Sequence, residues 1–310
     1  MSRVVIAGAG ALGTALATKL SATHEVRAVR QRGELPAAAG RLTWHQADLT
    51  TMHDAEVALT GAHTVVLLAQ ARRAPARLQR ASLDDLDRLL GDSVARAAKL
   101  VGAQHLVVFA CGDDDARLPL LEKSGVPLSV LRGGAPDPIA LLAAMVDAAP
   151  STARTAAWTG AMPEVRAPVV QTCSIQRYPR PSGWTALDLV RAYFKWLPSD
   201  VPLVRTAEHE GVFTISMAGV RGLVLRLEPG RSSDDCAWLV IADGALARRS
   251  TDDARFEFRM LLDGVSAMTA LIGYQPSLPW PLYRFTQAIL HERTMRHFGA
   301  WLSEQRGAPP

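Results

Sequence analysis

Gly8, Gly10 and Gly13 are the first residues whose spacing suggests chemistry; they lie in the run VVIAGAGALGTALATKL from Val4 to Leu20. A G-x-G-x-x-G spacing between an apolar strand and a helix clears the backbone for an anion. Gly8 permits a tight turn, Gly10 lets N–H groups approach a pyrophosphate, and Gly13 lets helix and strand pack closely. Ala11 and Leu12 open the helix, whose N-terminal end carries the positive pole of its dipole. About 20 residues on, a free ribose 2′-hydroxyl calls for Asp or Glu, yet the second strand ends in Arg30 and Arg32 with no carboxylate before Glu34. Guanidinium groups match a 2′-phosphate, which favours NADP(H) over NAD(H); Arg32 reads equally well as a solvated loop charge. Asp48, followed by Leu49, is placed to approach an adenine edge, or else caps a helix itself or through Thr50. Ala69 and Gln70, after the fourth strand, complete the candidate cofactor contacts.

These groups need a scaffold. From Arg3 to about Arg132, short β-branched runs (RVVIAGA, HEVRAVR, LTWHQA, HTVVLLAQ, AQHLVVFAC, VPLSVLRGG) alternate with helical segments. That alternation implies an α/β, doubly wound parallel sheet covered on both faces. The helical PIALLAAMVDAA follows, and then a stretch without periodicity that puts a boundary near 151–168. The expected division is a dinucleotide-binding domain over 1–150 and a ligand or substrate domain over 165–306. In the second half VVQTCSIQRY, GVFTISMA, GLVLRLEPG, CAWLVIADG, RFEFRMLL and AMTALIGYQP read as consecutive strands, hence an antiparallel sheet in an α+β domain. Two helices bracket it, WTALDLVRAYFKWL and a long C-terminal one in which Leu282, Phe285, Ile289, Met295, Phe298 and Leu302 recur at helical spacing.

Together VVIAGAGALGTALA, EVRAVRQR, ADLT, AHTVVLLAQA, LVVFACG and LEKSGVPLSVLRGG resemble an atypical short-chain dehydrogenase/reductase of the NAD(P)-binding epimerase or NmrA-like type, over about residues 1–135. Membership implies a Rossmann fold and a nicotinamide cofactor, with a reductase, an epimerase or a cofactor-sensing regulator as the function. Active members use a Tyr that donates a proton and a Lys four residues later. The four lysines test this completely: the i−4 residues of Lys19, Lys99, Lys123 and Lys195 are Ala15, Ala95, Pro119 and Arg191, so the dyad is absent. The asparagine often found after the fourth strand is replaced by Gln70. An acid must then come from elsewhere, and Cys111 and Asp113, after the fifth strand of the alternation, would face the nicotinamide. Alternatively, Cys111 is a small buried residue and Asp113 to Asp115 form a helix-capping, solvated turn. Arg132 either binds a substrate anion or pairs with one of those carboxylates.

The second half, from about Val169 to Leu302, resembles the helix-grip fold of the START/polyketide-cyclase (SRPBCC) superfamily through RFEFRMLLDG and RFTQAILHERTMRHFGAWL. The resemblance implies an apolar cavity for a hydrophobic ligand, with Tyr178, Trp184, Tyr274, Trp280 and Tyr283 as lining candidates unless they simply pack the core. Tyr274 and Tyr283 add phenols able to donate a proton.

Other chemistry is excluded or unsupported. HERTM lacks the second histidine of H-E-x-x-H, so no metal is expected there, and His291 and His297 read as surface residues. No G-x-S-x-G occurs. A net charge of +4 without a Lys/Arg block points away from nucleic acid. Three scattered cysteines and no 18-residue apolar span suggest a soluble cytoplasmic protein without a membrane span. The function that follows is an NADP(H)-dependent oxidoreductase acting on a hydrophobic carbonyl or enone. A non-catalytic sensor and a redox-neutral epimerase or cyclase are the alternatives, and a homodimer stays open.

Overall fold

Four-residue runs of Val, Ile, Leu and Ala make strands that are buried on both faces, and these dictate the first sheet. In a computed structural model, which describes residues 2–31, 33–70, 78–110, 112, 114–132, 137–148, 172–247, 254–279 and 287–305, the chain forms two units. One comprises Met1–Arg72 and Leu86–Val165, the other Arg73–Asp85 and Arg166–Pro310. In chain order the first half contains β1 (Arg3–Ala7), α1 (Ala11–Leu20), β2 (Glu25–Arg30), β3 (Leu42–Gln46), α2 (Met52–Leu59), β4 (Thr64–Leu67), β5 (Leu78–Arg80), α3 (Leu83–Leu100), β6 (His105–Ala110), α4 (Leu118–Lys123), β7 (Leu128–Arg132) and α5 (Pro138–Asp147).

All of these strands except β5 form one parallel sheet in the order β3-β2-β1-β4-β6-β7. This is the doubly wound order, in which the chain reverses direction across the sheet between β1 and β4. Helices α1 and α5 cover one face, and Val4, Ile6, Leu16, Leu20, Val107, Phe109 and Leu142 share that core. Each such aliphatic side chain contributes about 1.5–3 kcal/mol through burial. At the opposite end of β6, His105 Nε2 and Ser129 Oγ lie 2.8 Å apart in the interior; burial holds the imidazole pKa below its usual value, with His63 as a lesser cause.

The second unit begins with a strand from the first half. Edge strand β5 runs parallel to β8 (Thr172–Pro179), with Leu78 opposite Thr172. After β8 come α6 (Ala186–Asp200), β9 (Val204–His209), β10 (Val212–Met217), β11 (Val220–Leu227), β12 (Cys236–Asp243), β13 (Arg255–Met260), β14 (Ser266–Tyr274) and α7 (Gln287–Glu304). The seven strands from β8 onward pair antiparallel in the order β8-β14-β13-β12-β11-β10-β9. Thr185 caps α6 in a reciprocal capping box with Asp188, a motif that satisfies two otherwise orphaned backbone donors.

Two strands escape the sequence pattern. β5 is three residues long, and β9 (VRTAEH) has only Val204 buried, so neither shows apolar alternation. Met295, Phe298 and Leu302 are buried on α7, whereas Ile289 is exposed, a correction to the expected apolar face. Leu282, Phe285 and the boundary region 151–168 lie outside the described residues. Among the described residues, no helix is long and apolar enough to cross a membrane.

Candidate functional site

The candidate site forms where β1 gives way to α1, at the carboxyl edge of the parallel sheet. Gly8 has φ +114°, a conformation that side-chain-bearing residues rarely adopt, and a Cβ there would lie 2.3 Å from the Ala69 nitrogen. A Cβ on Gly13 would lie 2.4 Å from the Gly8 oxygen, so this glycine lets α1 pack against the turn. Gly10 differs from both. It is exposed, it is the N-cap of α1, and a Cβ on it would meet nothing within 4 Å.

The turn is fixed from two sides. Ala9 N–H donates to the Val29 carbonyl at 2.8 Å, and Ala69 N–H donates to the Ala7 carbonyl at 2.8 Å. No side chain caps α1 and no acid occupies its first turn. The first-turn N–H groups of a helix have no intrahelical acceptor, so Ala11, which is exposed, and Leu12, which is half-buried, present donors and a positive dipole end next to open space. These residues fit a pyrophosphate. The donors offered here are backbone groups, and Gly10 leaves the space in front of them clear of any side chain.

Arg30 ends β2 beside this turn. Its Nε donates to the Ala9 carbonyl at 3.0 Å, one terminal nitrogen donates to the Glu34 carbonyl at 3.2 Å, and the guanidinium lies 5.4 Å from the Trp44 ring centroid. A half-buried cation is thereby oriented next to the glycine turn. Asp48 Oδ1 accepts from Gln31 Nε2 at 3.0 Å, Thr50 N–H at 3.1 Å and Thr50 Oγ1 at 2.7 Å. The N-cap of α2 is Thr51, which accepts from Asp54 N–H, and not Asp48 or Thr50; Asp48 closes a turn one step earlier. Leu49 is buried. Ala69 lies against Gly8, and Gln70 follows it half-buried.

Arg117 is a residue that sequence reasoning missed. Its side chain is fully buried and donates to the carbonyls of Ala69 and Phe109 (2.8 Å to the latter), with Nε 2.8 Å from Asp115 Oδ1. One guanidinium thus joins the ends of β4 and β6. Asp115, expected on a solvated turn, is 5% exposed and ion-paired to it. Removing one partner of such a buried pair costs about 3–5 kcal/mol. The stretch GDDDARLP carried no apolar signal for this burial; the Asp-x-Arg spacing was the only hint.

Arg32, Cys111, Asp113, Trp280 and Tyr283 lie outside the described residues. Arg132 donates to the Gly112 carbonyl at 3.1 Å. Tyr274 is buried and its hydroxyl donates to the Leu246 carbonyl at 2.5 Å, which commits that proton to holding the turn after β12.

In the second unit α6 packs against β12 and β13, and α7 packs against β8. Aromatic rings occupy the interior face of the sheet. Tyr193 lies 5.2–5.7 Å from Phe298, Phe194, Phe258 and Phe256, and Tyr178 stands edge-on to Phe298 at 5.8 Å. Tyr178 and Trp184 are core residues. Burial drives the phenols of Tyr178 and Tyr193 well above the usual pKa. His291, expected at the surface, is half-buried with its ring 6.2 Å from Phe256; His297 lies 2.9 Å from Asp200. On the other face β13 buries Arg255, Glu257 and Arg259, with Arg259 Nε 2.6 Å from Glu257.

No family model matches the chain. The auxiliary protein GraX of Staphylococcus aureus (strain NCTC 8325 / PS 47) is 22% identical over 263 residues, covering 83% of this chain and 78% of GraX. Among solved structures, the Bordetella bronchiseptica enzyme WbmH in complex with NAD+ aligns at 17% identity over 43% of this chain and 55% of its own, with TM-score 0.35. The enzyme WbmG from the same organism, in complex with NAD, aligns at 24% identity over 42% and 52%, with TM-score 0.36. Uronate dehydrogenase from Agrobacterium tumefaciens aligns at 16% identity over 51% and 76%, with TM-score 0.39. The chain spans about half the length of the two Bordetella enzymes that it matches.

Proposed function

We propose that this protein is an NADP(H)-dependent oxidoreductase whose first unit holds the cofactor and whose second unit holds a hydrophobic carbonyl or enone substrate. The observation that supports the reading most strongly is Gly10, an open backbone position at the uncapped, acid-free N-terminus of α1, beside the β1/β4 reversal. In open α/β sheets that crevice is where ligands bind. The N–H groups of Ala11, Leu12 and Gly13 hold the pyrophosphate. Arg30, already oriented by Ala9 and Trp44, pairs with the ribose 2′-phosphate. When bound, the cofactor supplies or accepts a hydride at nicotinamide C4. Cys111 or Asp113, following β6, is the proposed proton donor in place of the missing Tyr-x-x-x-Lys pair. Substrate positioning contributes the rest, since orientation alone lowers barriers by up to roughly 7–11 kcal/mol.

The polar contact proposed for the substrate is on β8. Among the described residues, Gln176 Oε1 is buried without a donor, while its Nε2 donates to Ser174 Oγ at 2.8 Å. A ligand hydroxyl would meet that acceptor.

The test is a fluorescence titration of the intact protein with NADPH and NADH, followed by an enone and ketone panel monitored for NADPH consumption. Arg30→Glu is expected to weaken NADPH by about tenfold or more and NADH much less, because a charge-assisted contact is lost and a repulsive one gained. Gly10→Trp is expected to abolish both. A wild type that binds neither nucleotide ends the cofactor reading.

A second reading is a sensor that binds the cofactor without consuming it. Two observations favour it: all four lysines lack a Tyr partner at i−4, and the relative matching most of the chain is named an auxiliary protein. Tight NADPH binding with no turnover across the panel would select it.

A further inference from the structure

We infer that Arg117 is a positioning residue that sets the dinucleotide cradle against the chain leaving β6; this rests on the cofactor reading above. Its guanidinium is a planar fork with fixed donor directions, and here the fork is shared among three segments. It donates to the Ala69 carbonyl after β4, to the Phe109 carbonyl near the end of β6, and to the carboxylate of Asp115.

Ala69 is the floor of the glycine turn. Its N–H is held by Ala7, and its nitrogen, Cα and Cβ crowd the place where a Gly8 Cβ would stand. A shift of Ala69 therefore moves the turn that presents Gly10. Phe109 is the penultimate residue of β6, so the same guanidinium also holds the carboxyl end of that strand. Behind Arg117, α3 approaches so closely that a Cβ on Gly91 would lie 3.0 Å from the Arg117 Cα and Cβ, which denies the arginine room to relax. Arg117 is fully buried and touches no ligand itself; it acts through Ala69 and Phe109.

Lysine keeps the charge but cannot reach both carbonyls as a fork. The experiment compares wild type, Arg117→Lys and Asp115→Asn, measuring by calorimetry the Kd of the preferred dinucleotide and of its adenosine half (adenosine 2′-monophosphate, or adenosine where NADH is preferred). The adenosine half docks near Arg30, away from the clamp. Arg117→Lys is expected to weaken the dinucleotide about tenfold while changing the adenosine half less than about twofold, and Asp115→Asn to show the same split at about threefold. Equal losses for both ligands would mark Arg117 as a general stabiliser, and no loss for either would show that the clamp is irrelevant to binding; each result overturns the inference. If Arg117→Lys does not fold, the Asp115→Asn split decides. A wild type that binds no dinucleotide refutes the cofactor reading and the inference with it, whereas a binding wild type with unsplit variants refutes the inference alone.

Discussion

The carboxyl edge of the parallel sheet and the inner face of the antiparallel sheet obey the same burial physics and use it in opposite ways. Around β1 and β4 the strands are buried apart from Arg3, yet the turn that leaves β1, Gly8-Ala9-Gly10, carries almost no side chain, so backbone donors at Gly10 and Ala11 stand exposed. On the inner face of the second sheet Phe256, Phe258, Tyr193 and Phe298 fill the interior with ring against ring. One region is open because of what it lacks, and the other is held together by what it contains. Substitution should therefore cost stability in the second region and binding in the first.

The largest effect is expected from Phe258→Ala, which empties a fully buried site and should lower unfolding free energy by about 3–5 kcal/mol in a urea titration; a loss under about 1 kcal/mol would mean that the rings are loosely packed. Next comes alkali. Tyr178 and Tyr193 have raised phenol pKa values in the folded protein, so the unfolded chain loses protons first above about pH 10. Their stabilisation is complete below that pH and is lost as pH rises. Urea midpoints taken between pH 9 and 11 should fall, and Tyr193→Phe should flatten the fall.

Gly8 and Gly10 sharpen the contrast within one loop. Gly8→Ala forces a Cβ into the Ala69 backbone at positive φ and should destabilise by about 2 kcal/mol or more. Gly10→Ala should leave stability within about 0.5 kcal/mol yet weaken the dinucleotide about tenfold; unchanged affinity would remove Gly10 from the cradle. The smallest effect belongs to His105. Its depressed pKa means that the unfolded chain takes up the proton first, so stability is complete above about pH 6.5 and falls as the solution is acidified. His105→Gln should reduce the loss measured between pH 7 and 5, and an unchanged loss would place acid sensitivity elsewhere.

Much of this was legible in the chain because period and glycine spacing are local. The six runs of the parallel sheet became β1, β2, β3, β4, β6 and β7, and PIALLAAMVDAA became α5. The spacing of Gly8, Gly10 and Gly13 is enough to declare the turn. β5 was not legible, because a three-residue strand has no period and its pairing with Thr172 to Ser174 spans most of a hundred residues. Thr51 rather than Thr50 caps α2 because a one-residue shift in backbone angles, not residue type, chooses among neighbouring hydroxyls.

The sequence by itself determined the alternation of elements, the glycine turn and the absence of Tyr-x-x-x-Lys, since each depends on residue identity over short spans. Tertiary structure alone decided that Arg117 is buried rather than solvated, that Asp115 is its partner, and that Tyr274 spends its proton on Leu246. The reason is that a charge or a phenol carries no label for burial. Whether it meets water or a carbonyl is settled only when distant segments converge.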